Sequence, residues 1–144
     1  MGCYVGAIVL GSVGMMLLHG FSGFVFPEAA MSKMPQNDPE ALRVFMDSLG
    51  IGPKLSVVLS HWLGTTVGAS LAMRLAPVSK EWLRNTADFK ASFPGWVMGV
   101  WFTIGGIANA AMVPMPAWMI VLDLVGYVPL AYLCSRGIVV ERRR

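Results

Sequence analysis

Residues 3–26 read CYVGAIVLGSVGMMLLHGFSGFVF, a run of 24 positions without one Asp, Glu, Lys or Arg. At about 1.5 Å of rise per residue, a helix of this length crosses a hydrocarbon layer of about 30 Å. Pro27 and Glu28 end the run. A cleavable signal peptide is the rival reading. The stretch has no positively charged lead-in, and it exceeds the usual apolar core of about 7 to 15 residues in such a peptide, so a membrane helix is the expectation.

Working outward, Leu55 to Ala76 forms a second apolar run, charged only at Arg74 near its end. A long arginine side chain there reaches the membrane interface. The next uncharged stretch, Ala91 to Leu122, is too long for one crossing. Val113-Pro114-Met115-Pro116 interrupts it, and two prolines that break helical hydrogen bonding predict a tight hairpin. The chain is therefore read as one transmembrane domain over residues 1–144. Its predicted helices cover about 3–26, 55–76, 95–113 and 117–134, with an external segment at 27–54 and a loop at 77–94. Pro129 is a predicted kink. The fold class is all-α, an integral membrane four-helix bundle with a short external amphipathic helix.

Composition agrees with that class. The 144 residues are 56% hydrophobic and only 13% charged, with a mean hydropathy of +0.63. Soluble domains carry about twice that charged fraction. A domain this short buries only about 70% of its unfolded surface, so lipid is the simpler solvent. The net charge of +3 is not a nucleic-acid signal. Its basic residues sit at the ends of apolar runs rather than along a soluble face with interleaved aromatics. Cys3 and Cys134 are too few for a disulfide framework, lack zinc-site spacing and read as small apolar fillers. The start MGCYVG lacks the sixth-position Ser or Thr of a myristoylation signal.

With four crossings, both termini share a side with the 77–94 loop. That side carries eight basic residues, Arg74, Lys80, Arg84, Lys90, Arg136 and Arg142 to Arg144, against Lys33, Arg43 and Lys54 on the other. The positive-inside rule then puts both termini in the cytoplasm, with Arg74, Lys80, Arg84 and Lys90 at lipid headgroups. Trp82, Trp96 and Trp118 fall near helix ends, as interfacial tryptophans do.

The external segment contains Asn37-Asp38-Pro39-Glu40, a cap followed by proline at the first helical position, with Gly50 as the matching stop. Leu42, Phe45, Met46 and Leu49 share one face, while Glu40, Arg43 and Asp47 share the other. Such a helix lies on the membrane surface or caps the mouth of the bundle. Docking a partner is the functional alternative.

Ser60, Gly64, Gly68 and Ala72 recur at spacing four in the second helix, and Gly95, Gly99 and Thr103 do so in the third. Gly6, Ala7 and Gly11 give the first helix similar small faces. Stripes of this kind let backbones approach closely in lipid, either within one chain or across a homodimer.

Four polar residues fall at one depth. His19 lies seven residues before Phe26, His61 six after Leu55, Asp123 six after Ala117 and Asn109 four before Val113. Each is then about 6 to 10 Å below the outer boundary. A charged Asp inside a bilayer costs about 2.5 to 3.5 kcal/mol on insertion scales, so Asp123 should be paired, neutral or facing water, and a histidine would meet that need. A proton or ion path, a metal site of His19, His61 and Asp123, and bis-histidine ligation of haem b would each use this layer. All three require the side chains to converge, and a hydrogen-bonded network that fixes helix register is the plain alternative. Met31, Met34, Met112, Met115 and Met119 fall on the same side, and their soft thioethers suit monovalent copper, although methionine is equally an adaptable packing residue.

No nucleophile elbow, phosphate loop, HExxH, CxxC pair or dinucleotide fingerprint is present, so no enzyme chemistry is indicated. The leading expectation is a non-catalytic module that self-associates or serves a larger membrane complex. A small transporter or channel is the second expectation, and a haem or metal protein the third.

FVFPEAAMSKMPQNDPEALRVFMDSLGIGPKLSVVLSHWLGTTVGASLAMRLA, residues 24–76, and GIANAAMVPMPAWM, residues 106–119, resemble a family of small bacterial four-helix integral membrane proteins that is itself uncharacterised. The resemblance rests on Pro27, the run from Asn37 to Ala41, the glycines of the second helix, and Asn109 through Pro114, Pro116 and Trp118. It implies a bacterial cell membrane and no particular activity.

Overall fold

The computed structural model describes residues 2–35 and 37–144, with side chains from residue 5 onward except those of residues 31 and 36. The readings of the Cys3 and Met31 side chains lie outside the described residues. Among the described residues every regular element is helical and there is no strand. Seven α-helices follow in order: α1 (Gly2–Val25), α2 (Pro39–Ser48), α3 (Ile51–Leu75), α4 (Lys80–Asn85), α5 (Asp88–Ala91), α6 (Phe93–Met112) and α7 (Ala117–Arg143). Short 3-10 turns at Pro27–Ala29 and Met31–Lys33 lead from α1 toward α2. Helices α1, α3, α6 and α7 are each long and apolar enough to cross a membrane.

Local chemistry sets the boundaries. Asp38 caps α2 by accepting from the backbone N–H of Glu40 and of Ala41, both at 3.0 Å, and Pro39 fills the first turn. The N–H that proline lacks would have been unpaired there in any case. Gly50 begins α3 instead of merely closing α2, so α3 starts four residues before the predicted 55. Pro53 then falls in its first turn, where it breaks no helical bond. The connection Val113–Pro116 separates α6 from α7, as the two prolines predict.

Helix α7 departs most from expectation in ending at Arg143 rather than near 134, with Pro129 inside the continuous helix. The extra turns hold because Ile138 and Val139 bury against Met73, Leu83 and Ala91. Arginines then tie the helix end to neighbouring backbone. Arg142 donates from Nη1 to the Met73 carbonyl at 2.8 Å and from Nη2 to the Val78 carbonyl at 3.1 Å. Arg143 donates to the carbonyls of Leu83 and Thr86 and to Asp88. The Arg143 guanidinium first, and Arg136 second, hold the Asp88 carboxyl below the usual carboxylate range. Met73 O lacks a partner within α3 because it lies in the helix's last turn, where a cation is favoured by the helix dipole as well. Hydrogen bonds from charged groups contribute about 1.5 to 3 kcal/mol. Arg142→Ala is therefore expected to lower unfolding free energy in mixed micelles by about 2 kcal/mol, with Arg144→Ala, at the exposed chain end, near neutral. Equal stability of the two variants would refute the clamp.

Packing is organised around α3, which touches α1 on one side and α6 and α7 on the other. Of the apolar span in α3, 44% is buried, against 6% of that in α1. The small-residue stripes supply the close approaches within the chain. A Cβ at Gly64 would meet Met15 and the Gly11 carbonyl, one at Gly68 would meet Phe102, and one at Gly95 would meet Ser135. At Gly99 it would come within 2.7 Å of the Ala131 Cβ and 2.9 Å of the Tyr127 carbonyl. Ser60 and Ala72 are buried on the same helix. Gly6, by contrast, faces open space.

Candidate functional site

The site is assembled where α1, α3 and α7 meet near the α2 end of the bundle. On α7, Asp123 and Tyr127 are four residues apart and so share one face. That face meets His61 of α3. The His61 Nδ1 lies 3.0 and 2.9 Å from the two Asp123 carboxylate oxygens and 3.0 Å from the Tyr127 hydroxyl. Tyr127 donates its own O–H to Asp123 Oδ2 at 2.8 Å. The tyrosine proton goes to the carboxylate, and the Nδ1–H tautomer of His61 lets the imidazole donate to Asp123 as well.

Burial makes this geometry binding on all three groups. His61 is 7% exposed, Asp123 3% and Tyr127 1%, so the atoms that face one another inside the trio have little water to replace a lost partner. Trp62 adds a bond from Nε1 to the Asp123 backbone carbonyl at 3.3 Å, and Gly126 leaves the room its indole occupies. Thr65 returns its hydroxyl to the His61 carbonyl at 2.8 Å. The carboxylate is thus fixed by two side chains, and the imidazole is fixed in tautomer and orientation by the carboxylate. Among the described residues, the His61 Nε2 has no hydrogen bond.

His19 of α1 packs edge-on against His61, with ring centroids 5.1 Å apart and planes at 61°. It is half-buried and makes no hydrogen bond among the described residues. Both histidines line a cavity of about 280 Å³ bounded by α1, α3, the α6–α7 connection and α2. Met46 of α2 and Leu49 just beyond its end form part of its wall, and Asn109, Ser22 and Lys54 contribute the other polar groups. The Ser22 and Ser56 hydroxyls are hydrogen-bonded to each other beside it. A second cavity of about 320 Å³ lies at the opposite end, lined mainly by Trp82, Phe89, Phe93 and Trp96. It is larger but remote from the buried polar groups.

Of the four residues at one predicted depth, three converge. His19, His61 and Asp123 form a continuous chain of contacts, whereas Asn109 lines the cavity without joining the hydrogen-bonded network. Sequence reading missed Tyr127, although its position one turn beyond Asp123 was the available signal. Met34, Met115 and Met119 line the cavity, as their common side predicts, while Met112 is exposed and does not.

A metal site of His19, His61 and Asp123 is not what the geometry offers. Among the described residues no group of three or more His, Cys, Asp or Glu is placed to hold a metal ion. Asp123 instead spends its oxygens on His61 and Tyr127. Bis-histidine haem ligation needs the two imidazoles on opposite faces of a macrocycle, and rings in edge contact leave no slot for one. Among known proteins, no family model matches the chain, and no curated protein or solved structure is significantly similar to it.

Proposed function

We propose that this is a four-helix integral membrane protein of the bacterial cell membrane, with both termini in the cytoplasm. Its cavity opens on the outer side and receives a small ligand over His61, in the manner of a transporter or receptor module. One observation carries the reading: a histidine held by a buried carboxylate and phenol keeps its second nitrogen free at the edge of a cavity. A network that only fixed helix register would have no need of adjoining space or of an unbonded His19 beside it.

Several facts support the orientation and setting. Large apolar side chains such as Leu17, Phe21 and Phe24 on α1 are exposed, an arrangement suited to lipid and not to water. Eight of the eleven basic residues gather at the end opposite the cavity, and α2 covers the cavity end with its apolar face. The Ser60, Gly64, Gly68, Ala72 and Gly95, Gly99 stripes are filled within one chain, which supports a packing role for them inside the bundle.

A thermal-shift screen of the purified protein against small cations, anions and amphiphiles tests the function. A ligand at 100 times its dissociation constant stabilises by about 2.7 kcal/mol. At least one class should stabilise the wild type and fail with His61→Gln, which keeps a donor for Asp123. No stabilisation by any class, or equal stabilisation of both proteins, would count against it.

A further inference from the structure

The donor atoms around the cavity define the guest. Five of its fifteen lining residues are methionines, Met16, Met34, Met46, Met115 and Met119, whereas methionine makes up 11 of 144 positions overall. Methionines acting only as packing filler would close the space between them. Here they surround about 280 Å³ of it. The remaining donors among the described lining residues are two imidazoles, an amide, a hydroxyl and an amine, with no carboxylate or thiol.

That set excludes most ions by chemistry. Calcium and magnesium take oxygen ligands, largely carboxylates and waters. Thioethers are soft donors suited to cuprous ion and imidazoles suit copper among other borderline metals, so a thioether-rich set without thiolate or carboxylate favours cuprous ion. Lys54 sharpens the choice, because its repulsion scales with the charge of the guest. It stands seven residues before His61 on α3, about 10 Å along the axis, so a monovalent ion meets half the repulsion of a divalent one.

The histidine geometry points the same way. Histidines that bind metals through one ring nitrogen commonly give the other N–H to a carboxylate, which fixes the tautomer and raises basicity. His61 does this with Asp123 through Nδ1 and leaves Nε2 free. Met119 lies one turn before Asp123 on the same face of α7 and is 1% exposed, so it is placed beside this pair.

We propose that the cavity is a cuprous-ion site in which His61 Nε2 and His19 supply nitrogen and Met115 and Met119 supply sulfur. Asp123 and Tyr127 are positioning residues that hold His61. This assignment rests on the ligand-binding function proposed above and names the class of its guest.

The test uses full-length protein in lipid nanodiscs, titrated anaerobically with cuprous ion against a chromogenic cuprous chelator. One ion per chain should be withheld from the chelator, silver(I) should displace it, and zinc at the same concentration should not. The double substitution Met115→Leu with Met119→Leu keeps volume and apolarity. It should weaken retention by about 10-fold or more, leave the melting temperature near wild type, and remove sulfur scattering from the copper absorption-edge spectrum. Stripping of the wild type by the chelator, or equal retention by the double variant, would overturn the assignment. If an organic amphiphile stabilises the wild type but not His61→Gln while copper is not retained, the binding function stands and the cuprous assignment falls. If nothing binds, both fall.

Discussion

Gly99→Leu is expected to lower the stability of the bundle by about 3 kcal/mol, at the upper end of ordinary overpacking costs. The added Cβ alone would sit 2.7 Å from the Ala131 Cβ, 2.9 Å from the Tyr127 carbonyl and 3.0 Å from the Val128 Cα. Two of those three atoms are backbone, so α6 and α7 must separate for the side chain to enter. In lipid, such separation forfeits dispersion contacts with no hydrophobic gain to offset it. Gly105→Leu is the matched control, because a Cβ there meets nothing within 4 Å. Thermal unfolding in micelles should give a large drop for the first and a value near wild type for the second; indistinguishable curves would show that α6 and α7 do not pack this way.

The second large effect falls on binding. Asp123→Asn should reduce silver(I) or cuprous affinity about 10- to 100-fold, the range seen when an outer carboxylate partner of a ligating histidine is changed. Stability should move much less. Interhelical hydrogen bonds in membranes average about 0.6 kcal/mol with a maximum near 1.7 kcal/mol, and removing a charge from the interior recovers part of its insertion cost. A double-substitution cycle separates positioning from bulk structural damage. In a His61→Gln background, Asp123→Asn should add almost nothing to the loss of affinity, because its influence passes through the imidazole. Additive losses would mean that Asp123 acts on the guest by another route.

Much of this architecture is legible in the chain. Charge-free runs and the Pro114, Pro116 interruption mark the four long helices, and Asp38-Pro39 marks the start of α2. The end of α7 was not legible, since Ser135 to Arg144 carries the charges that mark a membrane boundary. What keeps it helical is burial of Ile138 and Val139 and the carbonyls that Arg142 and Arg143 reach, all of them distant in sequence.

The site divides in the same way. Counting residues from the helix ends put His19, His61, Asn109 and Asp123 at one depth, because rise per residue is constant. Azimuth depends on which helices are neighbours, and no count supplies it. Asn109 therefore stands apart from the network, and Met16 enters the cavity wall unannounced. The small-residue stripes were visible, yet whether they met another part of the chain or a second copy depended on that same ordering of helices.

Helix α1 is held almost entirely by α3. Its closest backbone approach is at Ala7 and Gly11, toward one end, while at the other it meets α3 through side chains, the His19–His61 ring contact and the Ser22–Ser56 hydroxyl pair. A helix with a single strong neighbour takes its tilt from the surrounding lipid more than its companions do, and a mismatch between apolar length and bilayer thickness is relieved by tilting. Ala7 and Gly11 then act as a fulcrum, and His19 rides on the longer arm. The thickness of the host bilayer becomes a control on how closely the two imidazoles approach, so the same sequence would hold its guest differently in thin and thick membranes.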